Sequence, residues 1–124
     1  MTKRILVVED HEDNRRIMRD MLRKAGFEVL EATTGEQGVV LAETHIPDLI
    51  LMDIQMPVLD GYEATRRIKS IPELKDIPII VVTSYALSGE DARAQAAGAA
   101  AYVSKPFSPR QLLAKIRQLL PGDD

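Results

Sequence analysis

Four aliphatic runs in this 124-residue chain each end on side chains capable of chemistry. Glu9-Asp10 follow Ile5–Val8, Asp53 follows Leu49–Met52, Thr83-Ser84 follow Ile79–Val82, and Ser104-Lys105-Pro106 follow Ala100–Val103. If those runs lie side by side, three carboxylates, a hydroxyl and an ammonium converge. Carboxylates held close repel one another, so at least one pKa would rise unless a cation joined them. The motif offers only oxygen donors, which selects a hard ion, Mg²⁺ or alternatively Mn²⁺. Lys105 then serves as an ion-pair partner that can still meet an incoming anion. Ion, lysine and hydroxyl together can neutralise the oxygens of a phosphoryl group in transfer. Asp53, at the centre, can be the attacking carboxylate and form an aspartyl phosphate.

The elements that must position these groups follow from the pattern of the runs. Three of the runs are continuously apolar, as strands are when both faces of a parallel sheet are covered. Phe27–Ala32 alternates and reads as an edge strand. Between the strands lie helical patterns. Asn14, Ile17, Met18, Met21, Leu22 and Ala25 form a stripe that Gly26 ends. Thr34 with Gln37 caps a second helix, and Asp60 caps a third that runs to about Lys69. Ser88 and Asp91 open a fourth that stops near Gly98, and Ser108, Pro109 and Gln111 start a fifth. Strand and helix thus alternate five times, which implies an α/β fold with a parallel sheet covered on both faces. Ligands of such a sheet sit at the carboxyl ends of its strands, where the chemical residues fall.

The totals exclude several classes of function. The length suits one domain, and the tail Pro121-Gly122-Asp123-Asp124 leads to the expectation of a single domain over 1–124 with no output domain. A formal charge of −3 supplies no basic field for nucleic acid or an anionic membrane. The absence of cysteine excludes a disulfide framework, a thiolate metal site and a cysteine nucleophile. It also fits a reducing cytoplasm, the expected location. MTKRILVVED is too short in apolar residues for a signal peptide, and no run approaches the roughly 20 apolar residues of a membrane span.

The stretches ILVVED (5–10), DLILMDIQMPVLDGYEATRRIK (48–69), IIVVTSYA (79–86) and AYVSKPF (101–107) together resemble the receiver domains of bacterial two-component response regulators over the whole chain. The resemblance implies a flavodoxin-like fold with strand order 2-1-3-4-5 and Asp53 as phosphoacceptor. It implies that Asp10 binds Mg²⁺ directly, that Glu9 acts mainly through a metal-bound water, and that the backbone carbonyl of Gln55 completes the protein ligands. Thr83 would hydrogen-bond one phosphoryl oxygen and Lys105 would pair with another, with the Lys105–Pro106 bond a candidate for the cis form. Tyr102 would be the switch ring that turns inward as Thr83 moves. The reporting surface for a downstream protein would be the fourth helix, fifth strand and fifth helix, about residues 87 to 120. The implied phosphodonor is a histidine kinase or a histidine phosphotransfer domain. Within the family, residues 52–69 are closer to receivers of hybrid kinases and single-domain receivers of the cell-cycle type than to those with DNA-binding tails. Glu9 stands where Asp is commoner, and Gln55 and Tyr85 flank the phosphoryl pocket.

Competing readings attach to each residue. Asp53 could be a strand-end residue, Lys105 a surface lysine, Thr83 a helix cap and Tyr102 plain core. Met18 and Met21 read as core filler. His11 is read as a solvent-facing loop residue, because the oxygen site is complete without it, and His45 as a helix-end residue. The basic stretch Arg15, Arg16, Arg19, Arg23 is by default a solvated face. As whole functions, a Mg²⁺-dependent small-molecule phosphohydrolase would want a second acid where Gln55 stands, and a substrate cap. A phosphorylation-independent scaffold would not need all five site residues. A nucleotide-binding flavodoxin relative lacks its Gly-rich phosphate loop.

Overall fold

The computed structural model describes residues 2–56, 58–83 and 90–120. Five parallel strands form one sheet in the order β2-β1-β3-β4-β5: β1 (Arg4–Val8), β2 (Glu28–Ala32), β3 (Leu49–Asp53), β4 (Ile79–Thr83) and β5 (Ala101–Ser104). The helices are α1 (Glu12–Lys24), α2 (Gly35–His45), α3 (Gly61–Lys69), α4 (Glu90–Ala97) and α5 (Pro109–Leu119). This is the flavodoxin-like arrangement expected from the sequence.

The continuous apolar runs have the cause inferred for them. Ile5 and Val7 of β1, with Leu49, Leu51, Ile80 and Val82, pack against Met18 and Leu22 of α1 and Leu112 and Ile116 of α5. Leu6, Val8, Ile50, Met52 and Ile79 pack on the other face against Ala42 of α2 and Ala64 and Ile68 of α3. Successive strand residues point to opposite faces, so a strand covered on both sides must be apolar throughout. Full burial of each such Leu, Ile or Val stabilises the fold by about 1.5–3 kcal/mol before chain entropy is counted.

The capping signals also act as read. Thr34 accepts from Gln37 N, Asp60 from Glu63 N and Ser108 from Gln111 N. Gly26 follows α1 at φ +97°, a conformation that side chains resist. Ser84, Tyr85 and Ser88 lie outside the described residues, as do Leu87 and the last four residues of the chain. Three strands differ usefully from expectation in their bounds. β3 and β4 each run one residue further, so Asp53 and Thr83 belong to the strands themselves. β5 is shifted by one, because Ser104 pairs in register with Thr83.

Candidate functional site

Strand register brings the site together. Val8 lies opposite Met52, so one step on, Glu9 reaches the level of Asp53, while Asp53 pairs with Val82 and Thr83 with Ser104. Backbone bonds extend the ladder past the strand ends: Glu9 N donates to Ala32 O at 3.0 Å, Ile54 N to Val82 O at 3.1 Å, and Lys105 N to Thr83 O at 2.6 Å. The peptide bond between Lys105 and Pro106 is cis.

Lys105 Nζ donates to Glu9 Oε1 at 3.1 Å and stands 3.5 Å from Asp53 Oδ1. One ammonium therefore serves two buried carboxylates, since Glu9 is 0% exposed and Asp53 2%. The two acids titrate in opposite directions. Burial opposes the Glu9 charge, but the His11 backbone N–H and the Lys105 ammonium outweigh it, and its pKa falls. Asp53 is pushed up to about 6 by burial and by the Glu9 charge, against the pull of Lys105 and the Gln55 N–H.

The donor set fits a divalent cation. Glu9, Asp10, His11 and Asp53 each place a ligand atom within 4.8 Å of the others. Among the described residues, Asp10 Oδ1 and Asp53 Oδ2 are buried acceptors without a hydrogen-bond partner. An unpartnered buried carboxylate oxygen is costly, and a cation is the natural remedy. Gln55 is exposed at the rim, and its backbone N–H donates to Asp53 Oδ1 at 3.4 Å.

Glu9, Asp10, Asp53 and Lys105 therefore meet, with Thr83 buried beside them at the end of β4. Tyr102 lies apart on the edge strand β5, 36% exposed, so the plain-core alternative does not describe it. It borders a groove of about 210 Å³ with Ala94 and Lys115, and another of about 520 Å³ toward Gln111 and Gln118.

Three features escaped the sequence reading. Arg15 and Arg19 do not form a solvated face: both bridge to Glu31 of β2, at 3.2 and 3.3 Å. Arg15 Nη1 also donates to the Glu9 carbonyl at 3.0 Å, tying α1 to the acidic turn. Gly61 opens α3 so close to β3 that a Cβ there would collide with the Asp53 carbonyl oxygen. His11 is exposed as expected, yet its ring reaches both acids of the pair. Asp60 was visible as a helix cap, but the close approach at Gly61 was not. The arginine contacts cross 12 and 16 residues and leave no local signal.

The response regulator receiver domain family model matches residues 5–117. The chain belongs to the response regulator receiver family. This receiver domain is 42% identical over 123 residues to the polar-differentiation response regulator DivK of Brucella ovis, covering 99% of both chains. Among solved structures it resembles the receiver domain of the Pseudomonas aeruginosa sensor histidine kinase PA1611, which has magnesium coordinated in its active-site cleft. That match has a TM-score of 0.90 and 38% identity, over 97% of this chain and 98% of that one. The Vibrio cholerae chemotaxis protein CheY4 superposes with a TM-score of 0.91 at 28% identity, over 96% and 99% of the two chains. The chain is thus a signalling domain of two-component type rather than a metabolic enzyme. Among the described residues, no helix is long and apolar enough to cross a membrane.

Proposed function

We propose that Asp53 accepts a phosphoryl group from a histidine kinase or a histidine phosphotransfer domain, and that the resulting charge switches a protein-binding surface. The observation that carries this reading is the buried Asp53 carboxylate, one oxygen facing Lys105 and the other unpartnered beside the acidic pair. A pKa near 6 leaves Asp53 ionised at neutral pH yet more basic than an ordinary aspartate, which favours nucleophilic attack. A carboxylate oxygen bonds to phosphorus as the donor's P–N bond breaks, and the released imidazole takes its proton from solvent. Lys105 transfers its ion pairing from the acids to a phosphoryl oxygen, and the Thr83 hydroxyl donates to another. Asp10, Asp53 and the Gln55 carbonyl would hold Mg²⁺, with Glu9 acting behind them, as its full burial and two engaged oxygens suit. When bound, the ion supplies charge neutralisation for the acids and the transferring phosphoryl group. The magnesium in the P. aeruginosa receiver supports this assignment. The only catalysis is of the domain's own phosphorylation and dephosphorylation.

The donor must cover the mouth of the site. A groove of about 550 Å³ opens there between α1 and the start of α5, lined by Ile17, Met18, Lys105, Pro106 and Phe107. On the far side of the sheet edge, Tyr102 turns inward as Thr83 shifts toward the phosphoryl group, and α4, β5 and α5 report the change to a downstream protein. An added charge of about −1.5 to −2 is ample to shift a two-state population. The test is a backbone NMR map with and without beryllofluoride in Mg²⁺. Shifts reaching Tyr102 and the α4-β5-α5 face are expected; shifts confined to the site would favour a scaffold whose fold does not switch.

A further inference from the structure

His11 lies at the head of α1, and its imidazole is 68% exposed. Its Nδ1 stands 3.2 Å from Asp10 Oδ1 and 3.3 Å from Glu9 Oε2. The ring hydrogen-bonds Glu9 Oε2, at a distance beyond the roughly 2.7–2.9 Å of a charge-assisted bond, and one ring N–H cannot serve both oxygens. Asp10 Oδ1 has no hydrogen-bond partner despite the nearby ring. The spacing suits ligands better. Donors about 2.0–2.1 Å from one ion stand roughly 3.3 Å apart at tetrahedral angles and about 2.9 Å apart in an octahedron. A second observation lies in the same cluster: Asp53, 2% exposed, has an Oδ2 without a hydrogen-bond partner, and its carboxylate places an oxygen within 4.8 Å of the other donors.

We infer that His11 is a nitrogen donor to this site, so that the chain also takes a borderline transition ion of the zinc class through His11, Asp10 and Asp53. This rests on the receiver reading and adds to it a residue that sets ion preference. Mg²⁺ gains little from imidazole, whereas Zn²⁺ and Ni²⁺ favour it. Two oxygen donors and one nitrogen, with water in the remaining place, form a three-ligand zinc site of ordinary type. An ion so held occupies the acids that phosphorylation needs, and thus competes with Mg²⁺.

The test uses the full chain, stripped of metal and held at about pH 8, above the ordinary imidazole range. Zn²⁺ and Mg²⁺ are titrated separately by calorimetry into the wild type and His11→Asn. Imidazole nitrogen NMR follows the ring, with His45 as the internal control. Zinc affinity is expected to fall about tenfold or more in His11→Asn, with Mg²⁺ affinity within about twofold, and only the His11 Nδ1 resonance shifted by zinc. Unchanged zinc affinity, or a zinc shift confined to His45, would overturn the inference. So would equal weakening of both ions, which would mean that His11 only shapes the acidic turn. Failure of the wild type to bind Mg²⁺ would instead count against the receiver reading, and the zinc comparison would still decide for His11.

Discussion

Burial and the Glu9 charge raise the Asp53 pKa to about 6, against 3.8 for an unperturbed aspartate. Between about pH 4 and 6 the folded chain therefore holds a proton that the unfolded chain has released, and stability falls as pH rises through that window. The cost stays in place above pH 6 and is on the order of 3 kcal/mol. In metal-free buffer, Asp53→Asn should match the wild type in melting temperature near pH 4 and exceed it increasingly up to about pH 6.5. A pH-independent difference would refute the assignment. Lys105 is the opposite case. Removing one partner of a buried ion pair costs about 3–5 kcal/mol, so Lys105→Ala should lower stability by that order in denaturant titration at pH 7, with Mg²⁺ recovering part of the loss. The identity of these residues was legible because each stands directly behind an apolar run. Their electrostatic roles were only partly so: that one lysine serves both acids depends on strand adjacency, and the reach of His11 depends on the turn into α1.

At the scale of the elements, β1, β3 and β4 were legible because burial on both faces leaves an unbroken apolar run. α2, α3 and α5 were legible because Thr34, Asp60 and Ser108 cap them with side chains. α1 begins earlier than its stripe suggests, since His11 caps it without a side-chain bond and polar residues form its first turn. The approach of α3 to β3 was not legible, because it is set by the absence of a Cβ at Gly61. Gly61→Ala should push Asp53 from its place, costing about 1–3 kcal/mol as overpacking does. It should also slow phosphorylation by small-molecule donors, measured against a wild type of matched folded fraction. Ile46 ends α2 at φ +46°, left-handed and 55% exposed. A β-branched residue is strained there, at about 1–2 kcal/mol, so Ile46→Gly should raise the melting temperature by a few degrees. A decrease would show that its packing outweighs the strain.

For the whole molecule, the sheet divides the labour. Its carboxyl edge gathers the chemistry, α1 and the start of α5 frame the approach to it, and β5 with its flanking helices offers a separate face. Ile17, 57% exposed beside the groove, lies on the approach but not in the site. Ile17→Asp should slow phosphoryl transfer from a protein donor about tenfold or more, the scale of an interface anchor, and leave transfer from acetyl phosphate unchanged. Equal slowing with both donors would place the defect in the site. Most directly, the chain incubated with Mg²⁺ and acetyl phosphate should gain the mass of one phosphoryl group in intact mass spectrometry, and Asp53→Ala should gain none. An unmodified wild type, or an adduct that persists in Asp53→Ala, would contradict the account.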